Sequence, residues 1–313
     1  MTEILTITLN PALDVATSCA RLEPSHKLRC ARATRFPGGG GINVARVMHR
    51  LGGQVQALYL AGGVVGRRLQ ELILAERLPE HYLPIADETR ESFSVLETST
   101  GREYRFVLPG PEVSALEWRS CLDAVAALDP APRTLVLSGS LPPGLAVDSY
   151  AQLARVAHTH GCKVVLDSSG APLAAALEAG VHLVKPSLRE LSELTGRALH
   201  DEAQWRSAAE ALVRTGRAQW VALSLGERGA LLLGAEGAWH ADALRVEVRS
   251  TTGAGDSFLG ALVWALDRGL PPPEALCLGV AAGSAALLHE GTRLCRADDV
   301  AAFAQRVKVS RLA

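Results

Sequence analysis

The chain has 313 residues, of which 48% are hydrophobic and 21% charged, and its formal net charge is -1. This composition is typical of a folded protein with a sizeable core and excludes a disordered chain. The balanced charge argues against a nucleic-acid or polybasic membrane partner, and no apolar run reaches the roughly 18–20 residues that span a bilayer. The six cysteines form no CxxC pair, which predicts free thiols in a cytoplasmic protein.

Short β-rich segments alternate with longer helical ones along most of the chain. Continuous apolar runs predict buried strands, and apolar residues repeating with the helical period predict helices. The predicted strands are 4–10, 55–60, 134–138, 163–167, 182–185 and 221–225, and the predicted helices are 42–51, 114–128, 148–160, 203–215 and 255–267. This alternation predicts an α/β fold, with helices on both faces of a mostly parallel central sheet.

Two segments break the alternation. Residues 15–36 are a long mixed polar stretch, and residues 92–108 alternate in polarity around a turn at 99–101. The alternation predicts a half-exposed antiparallel hairpin. The two segments could form a small sheet outside the main layer and act as a lid, or the hairpin could be an ordinary edge of the main sheet.

The segment STTGAGDSFLGALVWAL, residues 250–266, places small residues and glycines before a strongly apolar helix. A helix start exposes unpaired N–H groups and the positive end of the helix dipole, which suits an anion. Gly253 and Gly255 leave the backbone open to a phosphate, and Asp256 could accept a proton from a nucleophilic hydroxyl. Alternatively, Asp256 only starts the helix and the glycines form a tight turn. The pattern is not that of a P-loop.

The segment FPGGGGINVAR, residues 36–46, also places glycines before an apolar helix. One interpretation is a loop that needs positive φ angles. The other is a close approach of the backbone to a polar ligand, to which Asn43 would add an amide group.

A third segment, LVKPSLREL at residues 183–191, has the capping-box spacing at Ser187 and Glu190. Glu190 could instead hold Mg²⁺ through water molecules, because Mg²⁺ binds few carboxylates and retains water. Lys185 could neutralise phosphate charge or be solvated. Four further cations are expected to be surface charges unless the lid brings them over one site: Lys27, Arg29, Arg90 and Arg105.

The motifs together resemble those of the phosphofructokinase B (ribokinase-like) carbohydrate kinases. GGGGINVAR and STTGAGDSFLGAL stand at the expected separation, with SGSLPPG, LDSSG, KPSxxEL and SLGERG between them. The resemblance extends from LTITLNPALD to GTRLC. It implies one ribokinase-like three-layer α/β/α domain over residues 1–313, with a β-sheet lid at about 14–36 and 90–108. It also implies a homodimer formed through that lid.

Within the family, KLRC at 27–30, four glycines at 38–41 and the tail GVAAGSAAL…GTRLC resemble the 6-phosphofructokinases. This implies ATP-dependent phosphorylation of fructose 6-phosphate to fructose 1,6-bisphosphate in glycolysis. NPALD is more similar to 1-phosphofructokinases, so 1-phosphofructokinase and tagatose-6-phosphate kinase remain alternatives. Ser187 stands where most members have Asn, which leaves a non-catalytic sugar-phosphate sensor as a third possibility. Ser250 replaces an Asp of the sugar kinases, as the phosphosugar kinases also do.

The resemblance also implies roles for individual residues. Asp256 would be the catalytic base, and Gly253, Ala254 and Gly255 would form an anion hole for the transferred phosphoryl group. The sugar hydroxyls would contact Asp14, Gly39, Gly40 and Asn43. The sugar phosphate would contact Lys27, Arg90, Ser140 and the partner subunit's Arg29. ATP would contact Lys185, Ser187, Ser224, Gly226, Gly229, Thr251, Gly283 and Ser284, and Glu190 would order Mg²⁺.

Overall fold

The computed structural model describes residues 3–312. Its strands are β1 (Ile4–Thr8), β2 (Ala12–Cys19), β3 (Thr34–Gly38), β4 (Val55–Ala61), β5 (Glu80–Pro84), β6 (Arg90–Glu97), β7 (Arg102–Val107), β8 (Thr134–Ser138), β9 (Lys163–Asp167), β10 (Val181–Val184), β11 (Ala218–Ser224), β12 (Ala230–Gly234), β13 (Gly237–Ala241) and β14 (Val309–Leu312). Its helices are α1 (Gly40–Arg50), α2 (Gly63–Ala75), α3 (Ala115–Ala126), α4 (Ser149–Thr159), α5 (Gly170–Leu177), α6 (Leu188–Thr195), α7 (Glu202–Arg214), α8 (Ala254–Asp267), α9 (Pro272–Ala286) and α10 (Ala297–Ala304).

The strands form a ten-stranded sheet in the order β14-β13-β12-β11-β10-β9-β8-β1-β4-β5. From β11 to β5 every neighbouring pair is parallel. The mostly parallel sheet predicted from the sequence is therefore confirmed. The antiparallel strands β12, β13 and β14 extend the sheet at one end and were not predicted.

The core lies on both faces of this sheet. All five residues of β1 are buried, and successive side chains of a strand point to opposite faces. Leu5 belongs to the apolar cluster that includes Leu153 of α4, whereas Ile4 belongs to the cluster that includes Ile42 of α1 and Leu262 of α8. Burial on both faces explains why the parallel strands are continuous apolar runs, and it gives the three-layer α/β/α arrangement.

A separate four-stranded sheet has the order β3-β2-β6-β7. The predicted hairpin at 92–108 is present as β6 and β7, which pair antiparallel. It belongs to this small sheet rather than to the edge of the main one, because β6 pairs parallel with β2. The mixed polar stretch supplies most of β2 and β3, which the apolar patterns had not indicated as strands.

All six cysteines are free thiols, as predicted. Within residues 3–312, no helix combines the length and the apolar character needed to cross a membrane.

Candidate active site

Two cavities meet at the carboxyl ends of the parallel strands, which is where open α/β sheets bind ligands. The polar cavity has a volume of about 370 Å³. Its predicted lining residues are Asp14, Gly39, Gly40, Asn43, Arg90, Ser140, Lys185, Glu190, Gly253, Gly255 and Asp256. The apolar cavity has a volume of about 990 Å³. Its predicted lining residues are Ser224, Gly226, Gly229, Thr251, Ala254, Gly255, Gly283 and Ser284. Gly255 lines both cavities and therefore marks the place where they join.

The N-terminus of α8 forms the wall between the two cavities. Ala254 lines the apolar cavity and Asp256 the polar cavity. Gly253 precedes the helix with a positive φ of 78°, and no side chain of the described residues caps this end. A side chain at 253 would both strain this conformation and press on Leu294. The positive end of the helix dipole is thus presented to both cavities without a capping side chain from the described residues.

Asp256 is held by Asn43, the predicted amide residue of α1. Asn43 Nδ2 donates a hydrogen bond to Asp256 Oδ2 at 2.9 Å. Burial raises the pKa of Asp256 above its ordinary value, and the Asn43 hydrogen bond and the Lys185 charge oppose that rise. A carboxylate with a raised pKa is a stronger proton acceptor. The raised pKa of Asp256 and its position in the polar cavity therefore suit a general base.

Lys185 pairs with Asp167, an acid that the sequence interpretation did not single out. Lys185 Nζ lies 3.0 Å from Asp167 Oδ1, and both side chains are almost fully buried. Burial raises the pKa of Asp167 to about 6, although the Lys185 charge opposes the rise. Burial would lower the pKa of Lys185, but the facing carboxylates, Asp167 first, hold it above its ordinary value. Asp167 is the last residue of β9 and lies within the motif LDSSG. Its position at the end of a buried strand could have identified it as a candidate site residue.

Asp14 lies on β2 and receives a hydrogen bond from Thr292 Oγ1 at 2.9 Å. Burial raises the pKa of Asp14, while the Thr292 hydrogen bond and the charges of Arg105, Arg46 and Arg90 oppose the rise. Thr292 also lines the polar cavity and was not predicted as a site residue.

The small sheet brings two of the four scattered cations to the polar cavity, namely Arg90 of β6 and Arg105 of β7. Arg90 also donates hydrogen bonds to the carbonyls of Asn10 and Leu108. Lys27 and Arg29 are exposed in the connection between β2 and β3, and among the described residues they line neither cavity. The prediction that these two cations contact the sugar phosphate stays a prediction.

The glycine run at 38–41 is explained by close packing as well as by its position in the cavity. A Cβ atom at Gly38 would collide with the Asp14 carboxylate, and one at Gly40 would collide with Ser138 Oγ. Gly39 has a φ of 112°, as the loop interpretation predicted. Gly39 and Gly40 also expose backbone to the polar cavity, so the two interpretations are compatible.

Ser187 and Glu190 form the predicted capping box at the start of α6. The Ser187 hydroxyl accepts a hydrogen bond from the Glu190 backbone N–H, and Glu190 Oε2 accepts one from the Ser187 backbone N–H at 2.7 Å. Ser187 lines neither cavity in the described part of the chain. Glu190 does line the polar cavity, so it serves the helix start and still presents carboxylate to the site.

This chain is similar to known proteins along most of its length. The model of the pfkB family of carbohydrate kinases matches residues 6–299. The chain is 42% identical over 300 residues to the ATP-dependent 6-phosphofructokinase isozyme 2 of Escherichia coli (strain K12). This alignment covers 96% of this chain and 97% of that protein.

Two solved structures of the phosphofructokinase-2 from Escherichia coli are similar to this chain. The structure in complex with fructose-6-phosphate gives a TM-score of 0.92 at 40% identity, covering 98% of this chain and 99% of that one. The structure of the tetrameric inhibited form gives a TM-score of 0.91 at 40% identity, with the same coverage.

Proposed function

The chain belongs to the pfkB family of carbohydrate kinases, and we propose that it transfers the terminal phosphoryl group of ATP to fructose 6-phosphate. The product would be fructose 1,6-bisphosphate. The observation that carries this proposal is the position of residues 253–256, which separate the two cavities at an uncapped helix N-terminus. A donor in one cavity and an acceptor in the other would meet at Gly255.

The polar cavity suits a sugar that carries a phosphate. The Asp14 carboxylate can accept hydrogen bonds from hydroxyl groups, and the Asn43 amide can donate or accept them. Arg90 and Arg105 enter from the small sheet and supply positive charge for a phosphate, and Ser140 adds a hydroxyl. The similarity to enzymes named for fructose 6-phosphate supports this substrate over other phosphosugars.

Asp256 takes the role of the base. It would accept the proton of the attacking hydroxyl, a step that contributes about 10²–10⁴-fold to the rate. The N–H groups at the start of α8 would stabilise the negative charge of the transferred group, which in phosphoryl transfer is spread over its oxygens. Lys185, held by Asp167 at 3.0 Å, would add a fixed positive charge beside this point.

The apolar cavity suits ATP. Phe258, Val280 and Leu287 give it an apolar wall for a nucleobase, while Gly226, Gly229 and Ser284 offer backbone and hydroxyl groups to the sugar and phosphates. The site fits Mg²⁺, because Glu190 offers a carboxylate beside the junction and Mg²⁺ takes one or two carboxylates with water and phosphate oxygens. When bound, Mg²⁺ would neutralise phosphate charge.

The small sheet is proposed to be a lid and a dimer interface. Three neighbouring residues at its edge are exposed although they are apolar, namely Phe106 (51%), Val107 and Leu108. An exposed apolar patch of this kind suits a partner surface. A second copy would cover it and could bring the partner subunit's Arg29 to this site. The free thiols support a cytoplasmic location.

A panel of acceptors tests the proposal. ADP release is measured with ATP and Mg²⁺ and, in turn, fructose 6-phosphate, fructose 1-phosphate, tagatose 6-phosphate and fructose. We expect the highest kcat/KM with fructose 6-phosphate. A preference for fructose 1-phosphate or tagatose 6-phosphate would assign one of the alternative kinases. Equal KM values for fructose and fructose 6-phosphate would contradict a phosphosugar substrate, and ligand binding without ADP release would indicate a sensor.

A further inference from the structure

A buried arginine lies behind the polar cavity. The Arg46 side chain is 1% exposed, although it lies on α1 among apolar residues. Its Nη1 donates to the carbonyls of Pro37 and Thr292 at 3.0 and 2.9 Å and to Asn43 Oδ1 at 3.1 Å. Its Nε and Nη2 donate to Glu76 Oε1 at 3.0 and 2.6 Å. Burying a charge is costly unless it is paired and hydrogen-bonded, and these contacts supply both the ion pair and the hydrogen bonds.

The first consequence concerns Asn43. An asparagine amide can be turned over at little cost unless its neighbours distinguish oxygen from nitrogen. Arg46 has donors only, so its contact fixes Oδ1 of Asn43 on the side away from the cavity. That orientation leaves Nδ2 to donate to Asp256 at 2.9 Å. The opposite orientation would place the amide oxygen against the Asp256 carboxylate, and the two acceptors would repel each other.

The second consequence concerns Thr292. Its carbonyl accepts from Arg46, and its hydroxyl donates to Asp14 Oδ2 at 2.9 Å. Thr292 belongs to the short segment Gly291–Arg293, whose backbone is not regularly helical at Thr292 itself. The Arg46 contact to the Thr292 carbonyl therefore helps to hold this backbone, from which the hydroxyl reaches Asp14.

We propose that Arg46, anchored by Glu76, is a positioning residue that holds Asn43 against Asp256 and Thr292 against Asp14. One guanidinium thereby fixes the partners of both carboxylates that would face the acceptor hydroxyls. This proposal rests on the proposed role of Asp256 as the base and adds how that base is held in position.

Glu76 completes the arrangement from the end of α2. Its side chain is 28% exposed, and it also pairs with Arg50 Nη2 at 2.9 Å. Arg50 lies one turn after Arg46 on α1, but its other contacts are the carbonyls of Arg293 and Cys295. Arg50 thus shares the anchor with Arg46 without touching Asn43, which makes it a matched control for the Asn43 contact.

The charged groups around Asp256 come from several elements. They are Asp14 of β2, Arg105 of β7, Asp167 of β9, and Lys185 and Glu190 beside them. Neither Arg46→Lys nor Arg50→Lys removes any of these charges. Because Asp14 raises the pKa of Asp256 and Arg46 holds its partner Thr292, a shifted Asp256 titration reports on the contacts of Arg46 through both Asn43 and Thr292.

The test compares Arg46→Lys with Arg50→Lys. A lysine at 46 can still pair with Glu76 but lacks the planar fork that reaches Asn43 and Thr292. We expect the pKa of Asp256, measured by ¹³C NMR of its carboxyl group, to rise by roughly one unit in Arg46→Lys, because a hydrogen bond to the ionised form is lost. The acidic limb of the kcat/KM profile should move to higher pH by a similar amount. We also expect kcat to fall roughly 10–100-fold. Arg50→Lys should leave the Asp256 titration unchanged.

A double-mutant cycle on kcat separates positioning from general structure. If Arg46 acts through Asn43, then Arg46→Lys should cost much less in an Asn43→Ala background than in the native chain. Additive losses, an unshifted Asp256 titration in folded Arg46→Lys, or an equal shift in Arg50→Lys would each overturn the assignment. If Arg46→Lys does not fold, Glu76→Gln carries the same test, with a smaller shift expected in the same direction.

The NMR titration needs no substrate, so it distinguishes the two proposals. If none of the tested acceptors were phosphorylated, the proposed function would fail while the titration still decided whether Arg46 positions Asn43.

Discussion

The hydroxyl of Ser250 lies 3.0 and 2.9 Å from the two carboxylate oxygens of Glu103. Glu103 is on β7 of the small sheet, whereas Ser250 precedes α8, and the Ser250 oxygen also accepts from the backbone N–H of Thr252 at 3.1 Å. One hydroxyl therefore links the small sheet to the backbone that leads into the junction of the two cavities.

Loss of this link should weaken binding of the sugar phosphate. In Glu103→Ala, we expect KM for fructose 6-phosphate to rise roughly 10-fold, because a hydrogen bond to a charged group is removed and the small sheet is held less firmly. Glu103→Gln keeps an acceptor oxygen and should show a smaller rise. Steady-state kinetics measure both, and an unchanged KM in the alanine variant would contradict a role for the contact.

Replacement of the proposed base should strongly slow turnover without unfolding the chain. Asp256→Asn should lose at least about 100-fold in kcat while ATP still binds. Asp267→Asn at the other end of α8 is the control, since Asp267 pairs with Arg133 at 2.9 Å, outside both cavities. Coupled ADP release and ATP titration give the readouts. Near-normal kcat in Asp256→Asn would end the assignment.

Removal of Arg90 should affect the acceptor and not the donor. Arg90→Ala should raise KM for fructose 6-phosphate roughly 10–150-fold and leave KM for ATP unchanged, because a charge-assisted contact to the phosphate is lost. Arg90 also donates hydrogen bonds to three backbone carbonyls, so a thermal melt must accompany the kinetics. Arg102→Ala, an exposed cation on β7, should change neither KM. Equal increases for ATP and sugar would refute the assignment.

The capping role of Ser187 predicts a loss of stability. Ser187→Ala should lower the free energy of unfolding by about 1 kcal/mol, the usual cost of losing a helix N-cap. Ser114→Ala removes the equivalent cap of α3 and should cost about the same. Denaturant unfolding and ATP kinetics compare the two variants. If only Ser187→Ala raised KM for ATP, the Ser187 hydroxyl would also contact the nucleotide.

The Glu76 pairs predict a pH-dependent stability. Burial would raise the pKa of Glu76, but the Arg46 hydrogen bond and charge, together with Arg50, hold it below the ordinary 4.5. A carboxyl whose pKa is lowered by folding stabilises the fold above its unfolded pKa and loses that contribution as the pH falls through the folded value.

Glu76→Gln should therefore lower the free energy of unfolding by roughly 3 kcal/mol at pH 7, because Arg46 stays buried without its anion. The difference in the free energy of unfolding between the variant and the native chain should narrow below about pH 4.5, which is the pKa of Glu76 in the unfolded chain. Urea unfolding at several pH values measures this difference. Glu71→Gln, which removes an exposed pair on α2, should have little effect. A difference that did not vary with pH would contradict the ion-pair explanation.

The sequence predicts the parallel sheet, the hairpin and the helix that begins before Asp256, because each depends on a local pattern. Continuous apolar runs identify strands buried on both faces, and Gly253, directly before α8, marks the uncapped start of that helix. Asn43 and Asp256 could be paired only through family resemblance, since 213 residues separate them.

Other parts of the site have no local pattern. Arg46 lies in an apolar helical segment, and its role depends on Thr292, which is 246 residues away. Asp167 ends β9 and Lys185 follows β10, and only the parallel pairing of these two strands brings the side chains to 3.0 Å. The positions of Lys27 and Arg29 depend on an irregular connection, for which neither periodicity nor capping gives a prediction.

Because the central strands are parallel, the two cavities and the turns that could accept an insertion lie at opposite edges of the sheet. The described residues that line the cavities cluster at the carboxyl ends of the strands. The turns that lead into the amino ends of the strands therefore lie at the opposite edge of the sheet. The turn at Gly161 enters the five-residue strand β9, which spans about 16 Å. No neighbouring atom of the described chain lies within 4 Å of a Cβ placed there. An affinity tag or fluorescent fusion joined at that turn would stand a full strand length from the reacting groups, on a face that neither substrate needs to cross.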